Sequence, residues 1–272
     1  MVASILLIST ALFILGAAVG SFLNVVIMRS AAEEDWVRGR SRCDHCGTVL
    51  QWFDMIPLLS FWLLRGRCRY CGKPIAVNHP VVEILTGSLF VWWYWFGFFF
   101  FSLAEQPFII MQPIFWLLVG MILLLIFFAD LWYYLIPDSA VILLTLLAVV
   151  YRAALVNYGV MRPEDLTRMV VGVFGGVGFL YFLWFATKKR GMGFGDVKLM
   201  MPIGLLLGWQ STIVCLFLAF TTGGVVGAYL LATRQKSLKQ PIPFGPFLIA
   251  AALVSLIWGD QVFLLYMQMI FG

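Results

Sequence analysis

Two pairs of cysteines and a few isolated acids are the residues of this 272-residue chain whose types and spacing could do chemistry. Cys43-Asp-His-Cys46 and Cys68-Arg-Tyr-Cys71 are C-x-x-C pairs with 21 residues between the inner cysteines. Each pair sets two thiolates on a tight knuckle, and two knuckles complete a tetrahedral sulfur site of the kind that holds structural zinc. Gly47 and Gly72 follow directly, where the backbone must turn its amides toward the sulfurs. Two disulfides or a redox pair are the competing readings. A cytoplasmic setting disfavours the first, and a redox motif would need no duplicate. His45 could replace a thiolate, although four cysteines already saturate a metal. Cys215, inside an apolar run, reads as an inert buried thiol.

The acids in or beside apolar runs are Glu83, Asp130, Asp138, Asp196 and Asp260. A carboxylate is costly in hydrocarbon, so each points to a functional or interfacial role. Two carboxyl groups that face each other cannot both ionise, so one serves as acid and the other as base. Such a pair can activate a water against a peptide carbonyl and protonate the leaving amine. Asp138 follows Pro137 and also reads as a helix N-terminal carboxylate favoured by the macrodipole. Asp196 ends Gly193-Phe-Gly-Asp and has the same capping alternative, but the two glycines imply a tight bend beside it. Asp130 ends an uncharged run from Phe108 to Ala129, the unfavourable end of a helix for a carboxylate. Asp130 and Asp196 are therefore the expected catalytic pair, with Asp138, Gly193, Gly195 and Lys198 around them. Lys198 lies two residues beyond Asp196, on another helix face, and reads as a snorkelling anchor.

The elements that must position these groups follow from composition. Hydrophobic residues make up 62% of the chain and charged residues 11%, less than half the share in soluble domains. Soluble, disordered, collagen-like and coiled-coil classes fail on that comparison. A bilayer crossing takes roughly 20 apolar residues. Spans are expected at 4–28, 81–103, 108–129, 138–156, 169–187, 197–209, 211–233 and 245–259, with 261–271 in the interface. The first lacks a basic leader and a cleavage site, so it reads as a retained helix rather than a signal peptide. The expected fold is an all-α polytopic membrane protein of about eight transmembrane helices. Its parts are a first helix (1–28), a small cytoplasmic zinc-binding module with four cysteine ligands (29–80) and a helical bundle with the aspartyl site (81–272).

Basic residues orient the chain. Of 18 Lys and Arg, eight lie in 29–80, three in 188–196, three in 234–244, and Lys198 sits at a membrane edge. Those loops are expected in the cytoplasm, with the N-terminus outside and Asp130, Asp138 and Asp196 at the cytoplasmic mouth. The net charge of +5 reflects this asymmetry and needs no nucleic-acid partner. Glu33-Glu-Asp35 could meet a basic peptide or be a solvated charge run. Gly172, Gly175, Gly176, Gly223, Gly224 and Gly227 could line a homo-oligomer face or pack within one bundle.

Taken in order, Gly20-Ser-Phe-Leu-Asn-Val-Val-Ile-Met-Arg29, the double C-x-x-C loop, Asp130 to Ile136-Pro-Asp138, and Gly193-Phe-Gly-Asp196 resemble bacterial type IV prepilin peptidases, GxGD-type intramembrane aspartyl proteases. Ile56-Pro-Leu-Leu-Ser60, Arg65-Gly-Arg-Cys68, Pro80-Val-Val-Glu-Ile-Leu-Thr-Gly87 and Pro241-Ile-Pro-Phe-Gly-Pro246 extend the resemblance over residues 16–261.

The resemblance implies removal of the short basic leader of prepilins and pseudopilins at the cytoplasmic face of the bacterial inner membrane. It also implies methylation of the new N-terminal amine with S-adenosylmethionine. These substrates serve type IV pili, type II secretion or competence. Asp130 and Asp196 match the proteolytic aspartates, with no metal in that site. Methylation is associated with residues 20–87, where Asn24, Arg29 and Glu83 are candidate polar groups for the donor site. Each has a structural alternative: a hydrogen bond between helices for Asn24, a positive-inside anchor for Arg29, and a first-turn carboxylate for Glu83. A peptidase without methylation is the narrower alternative, against which the intact cysteine loop argues. A proton-coupled transporter would place acids at the bilayer midplane on paired broken helices, and no inverted repeat is visible.

Overall fold

The computed structural model describes residues 2–97, 108–189, 191–237 and 240–271. Among them the chain is helical, with two isolated antiparallel bridges, Arg42 to Val49 and Arg67 to Pro74. The helices are α1 (Val2–Ala31), α2 (Leu59–Leu63), α3 (Asn78–Trp92), α4 (Phe108–Tyr133), α5 (Asp138–Asn157), α6 (Pro163–Ala186), α7 (Phe194–Ala232) and α8 (Gly245–Phe271). A 3-10 turn at Trp52–Met55 precedes α2, and a π turn at Trp93–Gly97 continues α3. Among the described residues six helices, α1 and α4 to α8, are long and apolar enough to cross a membrane. This is a multi-pass membrane protein. The expected span at 81–103 begins inside α3, and its last residues lie outside the described ones.

The chain divides into two units, Met1–Leu125 and Ile126–Gly272. In the first, α1 packs along α3. A side chain at Gly16 would meet the Gly87 backbone at 2.8 Å, and one at Gly20 would meet the Glu83 backbone at 2.9 Å. Small residues let two helices approach this closely. Asn24 Nδ2 donates to the His79 carbonyl at 3.0 Å, so the interhelical reading of Asn24 holds.

In the second unit the helix starts follow local rules. Pro137 precedes α5, while Pro163 opens α6 with Glu164 and Asp165 in its first turn. The expected segments at 197–209 and 211–233 are two helical arms, labelled together as α7, that meet at a break at Gly208 (φ 75°, ψ 172°). That conformation is open in practice only to glycine. The break frees the Leu206 carbonyl, and the Arg152 guanidinium from α5 donates to it. At the break Gly172 of α6 lies so close that a side chain there would stand 2.7 Å from the Gly208 carbonyl carbon. Gly176 meets Met200 and Thr212 in the same way, so these two glycines pack within the bundle. Residues 261–271 continue α8 as one helix to Phe271.

Candidate active site

Asp130 lies in the last turn of α4 and Asp196 in the first turn of α7, and both are buried, at 6% and 4% exposure. The two carboxyl groups are near enough for Asp196 to feel the charge of Asp130. Asp196 Oδ1 is buried with no hydrogen-bond partner in the protein. Asp130 Oδ2 accepts the backbone N–H of Gly245 at 2.9 Å.

The two glycines before Asp196 have separate work. Gly193 is extended (φ −73°, ψ 147°), and its carbonyl accepts the Asp196 N–H at 3.3 Å, which closes the first turn of α7. Gly195 leaves room for Ile136, whose Cβ would lie 3.0 Å from any side chain placed there. The Gly-x-Gly-Asp and Ile-Pro-Asp stretches are thus packed on each other, 59 residues apart by the Ile136 and Gly195 positions.

Asp138 opens α5 without a side-chain capping bond. Its carboxylate instead holds Lys198, with Nζ at 2.7 and 2.9 Å from the two oxygens. Lys198 is thus an ion-pair partner rather than a bare anchor. Asp260, midway along α8, accepts the Ser211 hydroxyl at 2.7 Å, just past the α7 break.

In the first unit the four sulfurs of Cys43, Cys46, Cys68 and Cys71 lie within 4.8 Å of one another, and all four thiols are free. Zinc at 2.3 Å from each sulfur would set them about 3.8 Å apart, and Cys43 and Cys71 are already at 3.9 Å. The knuckles are built alike. Cys43 N–H donates to Thr48 and Gly47 N–H to Cys43; Cys68 N–H donates to Lys73 and Gly72 N–H to Cys68. Gly47 and Gly72 have φ of 70° and 68°. The Thr48 hydroxyl and amide hold the Cys46 thiol well below its usual value, at about 6. Cys71, although the Lys73 amide favours its thiolate, is pushed up to about 11 by burial and by its three sulfur neighbours. A cluster of thiols that resist joint ionisation is what a divalent cation resolves. These residues fit a structural zinc ion.

The two residues inside the second knuckle fasten the module to the 3-10 turn. Arg69 Nε and the Tyr70 hydroxyl donate to Asp54 at 2.8 and 2.9 Å, and the Gln51 N–H adds a third bond at 3.1 Å. Burial opposes the charged form of Asp54, but these bonds outweigh it and hold the carboxyl below its usual range.

Beside the module lies a cavity of about 1160 Å³ whose lining includes Asn24, Arg29, Tyr70 and Glu83. Arg29 gathers the carbonyls of Asp35, Arg38 and Gly39. Glu83 stands in the second turn of α3, since that helix begins at Asn78, so the first-turn reading is corrected. Its carboxylate is buried and accepts the Leu58 N–H at 2.8 Å.

A multi-pass helical membrane protein with two adjacent buried aspartyl groups and a tetra-cysteine module has the make-up of an intramembrane aspartyl enzyme. Comparison with known proteins makes this specific. Residues 14–96 match the bacterial peptidase A24 N-terminal domain, and residues 116–228 match the type IV leader peptidase family. A prepilin leader peptidase/N-methyltransferase of Pseudomonas putida is 31% identical over 94% of this chain and 93% of its own. The protein of the same description from Aeromonas hydrophila is 31% identical over 92% of this chain and 90% of its own. That from Myxococcus xanthus is 36% identical over 83% and 64%. No solved structure matches the chain. The chain belongs to the type IV leader peptidase family.

Gly245, whose amide holds Asp130, is a residue that residue-by-residue reading missed. The Pro241-to-Pro246 stretch carried a signal only as one segment of the family resemblance.

Proposed function

We propose that this protein is a bifunctional prepilin-processing enzyme that cleaves the basic leader and methylates the new N-terminal amine. The family and the relatives' shared description support both activities, and neither supports transport. The observation that carries the proteolytic half is the pair of buried carboxyl groups, Asp130 and Asp196, held at helix ends within electrostatic reach of each other. One carboxylate takes a proton from water, the water oxygen attacks the peptide carbonyl, and the other carboxyl protonates the departing amine. No metal takes part in that step. The charge bias of the loops supports a cytoplasmic active site in the inner membrane and a periplasmic N-terminus. An apolar pilin helix would then enter among the spans while its basic leader stays in the cytoplasm.

The cavity in the first unit suits the methylation half. When bound, S-adenosylmethionine supplies an electrophilic methyl group. Donor and acceptor are both cationic, a sulfonium and an ammonium, so their site calls for a carboxylate. Among the cavity's acids, Asp54 is engaged by Arg69 and Tyr70, Glu34 and Asp44 are exposed, and Glu83 is buried. Glu83 would hold the new α-ammonium and accept its proton. Asn24 would line the site from α1, Arg29 would hold its rim, and the zinc module would form its wall.

The test is mass spectrometry of a purified prepilin incubated with the enzyme, with and without S-adenosylmethionine. Wild type is expected to remove the leader and add one methyl group when the donor is present. Asp130→Ala and Asp196→Ala should leave the prepilin intact, and Glu83→Gln should cleave without methylating. Cleavage by either aspartate variant would remove the proteolytic assignment, and methylation by Glu83→Gln would remove the assignment of Glu83.

A further inference from the structure

We infer that Gly245, seated by a clamp of Tyr134, Lys236 and Pro241, is a positioning residue that aims Asp130 for leader cleavage. The inference rests on Asp130 being one of the catalytic pair.

Asp130 stands at the unfavourable end of its own helix, yet a second helix offers it a favourable end. Gly245 is the first residue of α8, and its amide is among the first four N–H groups, which have no partner within their helix. That amide donates to Asp130 Oδ2 at 2.9 Å in a buried contact across 115 residues of sequence. A Cβ at position 245 would lie 2.6 Å from Oδ2 and 3.1 Å from Cγ. No other residue type lets the amide come so near without displacing the carboxyl group. With Oδ2 held, Oδ1 is the oxygen left for water and substrate.

What brings Gly245 there is legible one step out on both arms. Tyr134 lies four residues after Asp130, and Pro241 lies four residues before Gly245. Lys236 Nζ donates to both the Tyr134 hydroxyl and the Pro241 carbonyl, at 3.1 and 2.9 Å. Tyr134 ends α4 in a left-handed conformation (φ 54°) that a tyrosine adopts only at a cost. Pro241, Pro243 and Pro246 stiffen the other arm. The Phe244 ring packs on Phe220 of α7, with centroids 4.9 Å apart.

The experiment compares full-length wild type, Gly245→Ala, Asp130→Asn and the surface double variant Tyr134→Phe/Lys236→Met. Two reactions are followed in detergent: leader cleavage of a purified type IV prepilin, and methylation of the same pilin already lacking its leader. Gly245→Ala should lose about a hundredfold in kcat for cleavage with KM unchanged, while methylation stays at the wild-type rate and certifies the fold. The double variant loses both bonds of Lys236 and should lose about fivefold in cleavage, since exposed hydrogen bonds each contribute little. Gly224→Ala, where a side chain meets open space, should behave as wild type. Cleavage by Gly245→Ala within about twofold of wild type, beside an inactive Asp130→Asn, overturns the inference. If Gly245→Ala loses both reactions, the double variant decides, and its cleaving at the wild-type rate overturns the inference too. Cleavage by Asp130→Asn would instead strike the catalytic reading on which it rests.

Discussion

Lys198 in the first turns of α7 grips both carboxylate oxygens of Asp138, the opening residue of α5, at 2.7 and 2.9 Å. This ion pair ties together the two helix starts that carry the Ile-Pro-Asp and Gly-x-Gly-Asp stretches. It also occupies Asp138, whose side chain is 62% exposed, and so sets it apart from the buried pair.

An exposed pair of this kind contributes at most about 1 kcal/mol. Lys198→Met and Asp138→Asn are therefore expected to retain leader cleavage within about tenfold of wild type. The double variant should be little worse than either single one, because one interaction is lost in all three. Cleavage rates on a purified prepilin check this. Loss as complete as that of Asp196→Ala would place Asp138 or Lys198 in the chemistry.

The cysteine module should carry one zinc ion per chain. Its loss through Cys68→Ser should release the metal and loosen residues 41–75. Metal analysis of protein purified without chelators, with hydrogen exchange over that segment, is the check. A metal-free protein with an equally protected loop would contradict the assignment.

Much of this was legible because the informative residues are close in sequence. A C-x-x-C pair fixes its own knuckle, and Pro137 or Gly193 sets the helix that follows it. The bond from Gly245 to Asp130 and the pair of Lys198 with Asp138 were not legible, because each depends on how helices pack across 115 and 60 residues. Asp138 illustrates the limit: its position at a helix start was readable, but a lysine from another helix took its carboxylate. Glu83 was misplaced by one turn because α3 begins at Asn78, before Pro80, where the apolar pattern resumes. The end of the chain stays in α8 because nothing in 261–271 stops a helix: the stretch has no proline and no internal glycine.

Asp54 gives the module a pH dependence of definite sign. Its folded carboxyl lies below the usual range because Arg69, Gln51 and Tyr70 outweigh the effect of burial. The stabilisation is present above the unfolded carboxyl value of about 3.9 and is lost as pH falls through the lower folded value. Wild type should exceed Asp54→Asn in stability by about 1 kcal/mol, allowing for the exposure of Arg69. That gap should be constant from about pH 5 to pH 8 and close below about pH 4. Thermal unfolding of both proteins across that range measures it, and a gap that widens on acidification would reverse the sign.

Arg152 makes the most demanding case, since a half-buried cation in a membrane helix needs a partner. Its Nη2 caps the Leu206 carbonyl, which the break at Gly208 takes out of the helix ladder. Arg152→Met would keep the bulk of the side chain and leave that carbonyl unsatisfied, at a cost of about 1–3 kcal/mol. Gly208→Ala would force alanine into backbone space open to glycine, at a similar cost. Both changes act on the same break, so their effects should be less than additive. The first arm of α7 carries Asp196 at its start, so a shifted break should lower cleavage and leave methylation of a leaderless pilin unchanged. Unfolding of the single and double variants in one detergent, with both activities measured, tests the coupling. Strict additivity would show that Arg152 and Gly208 serve separate purposes.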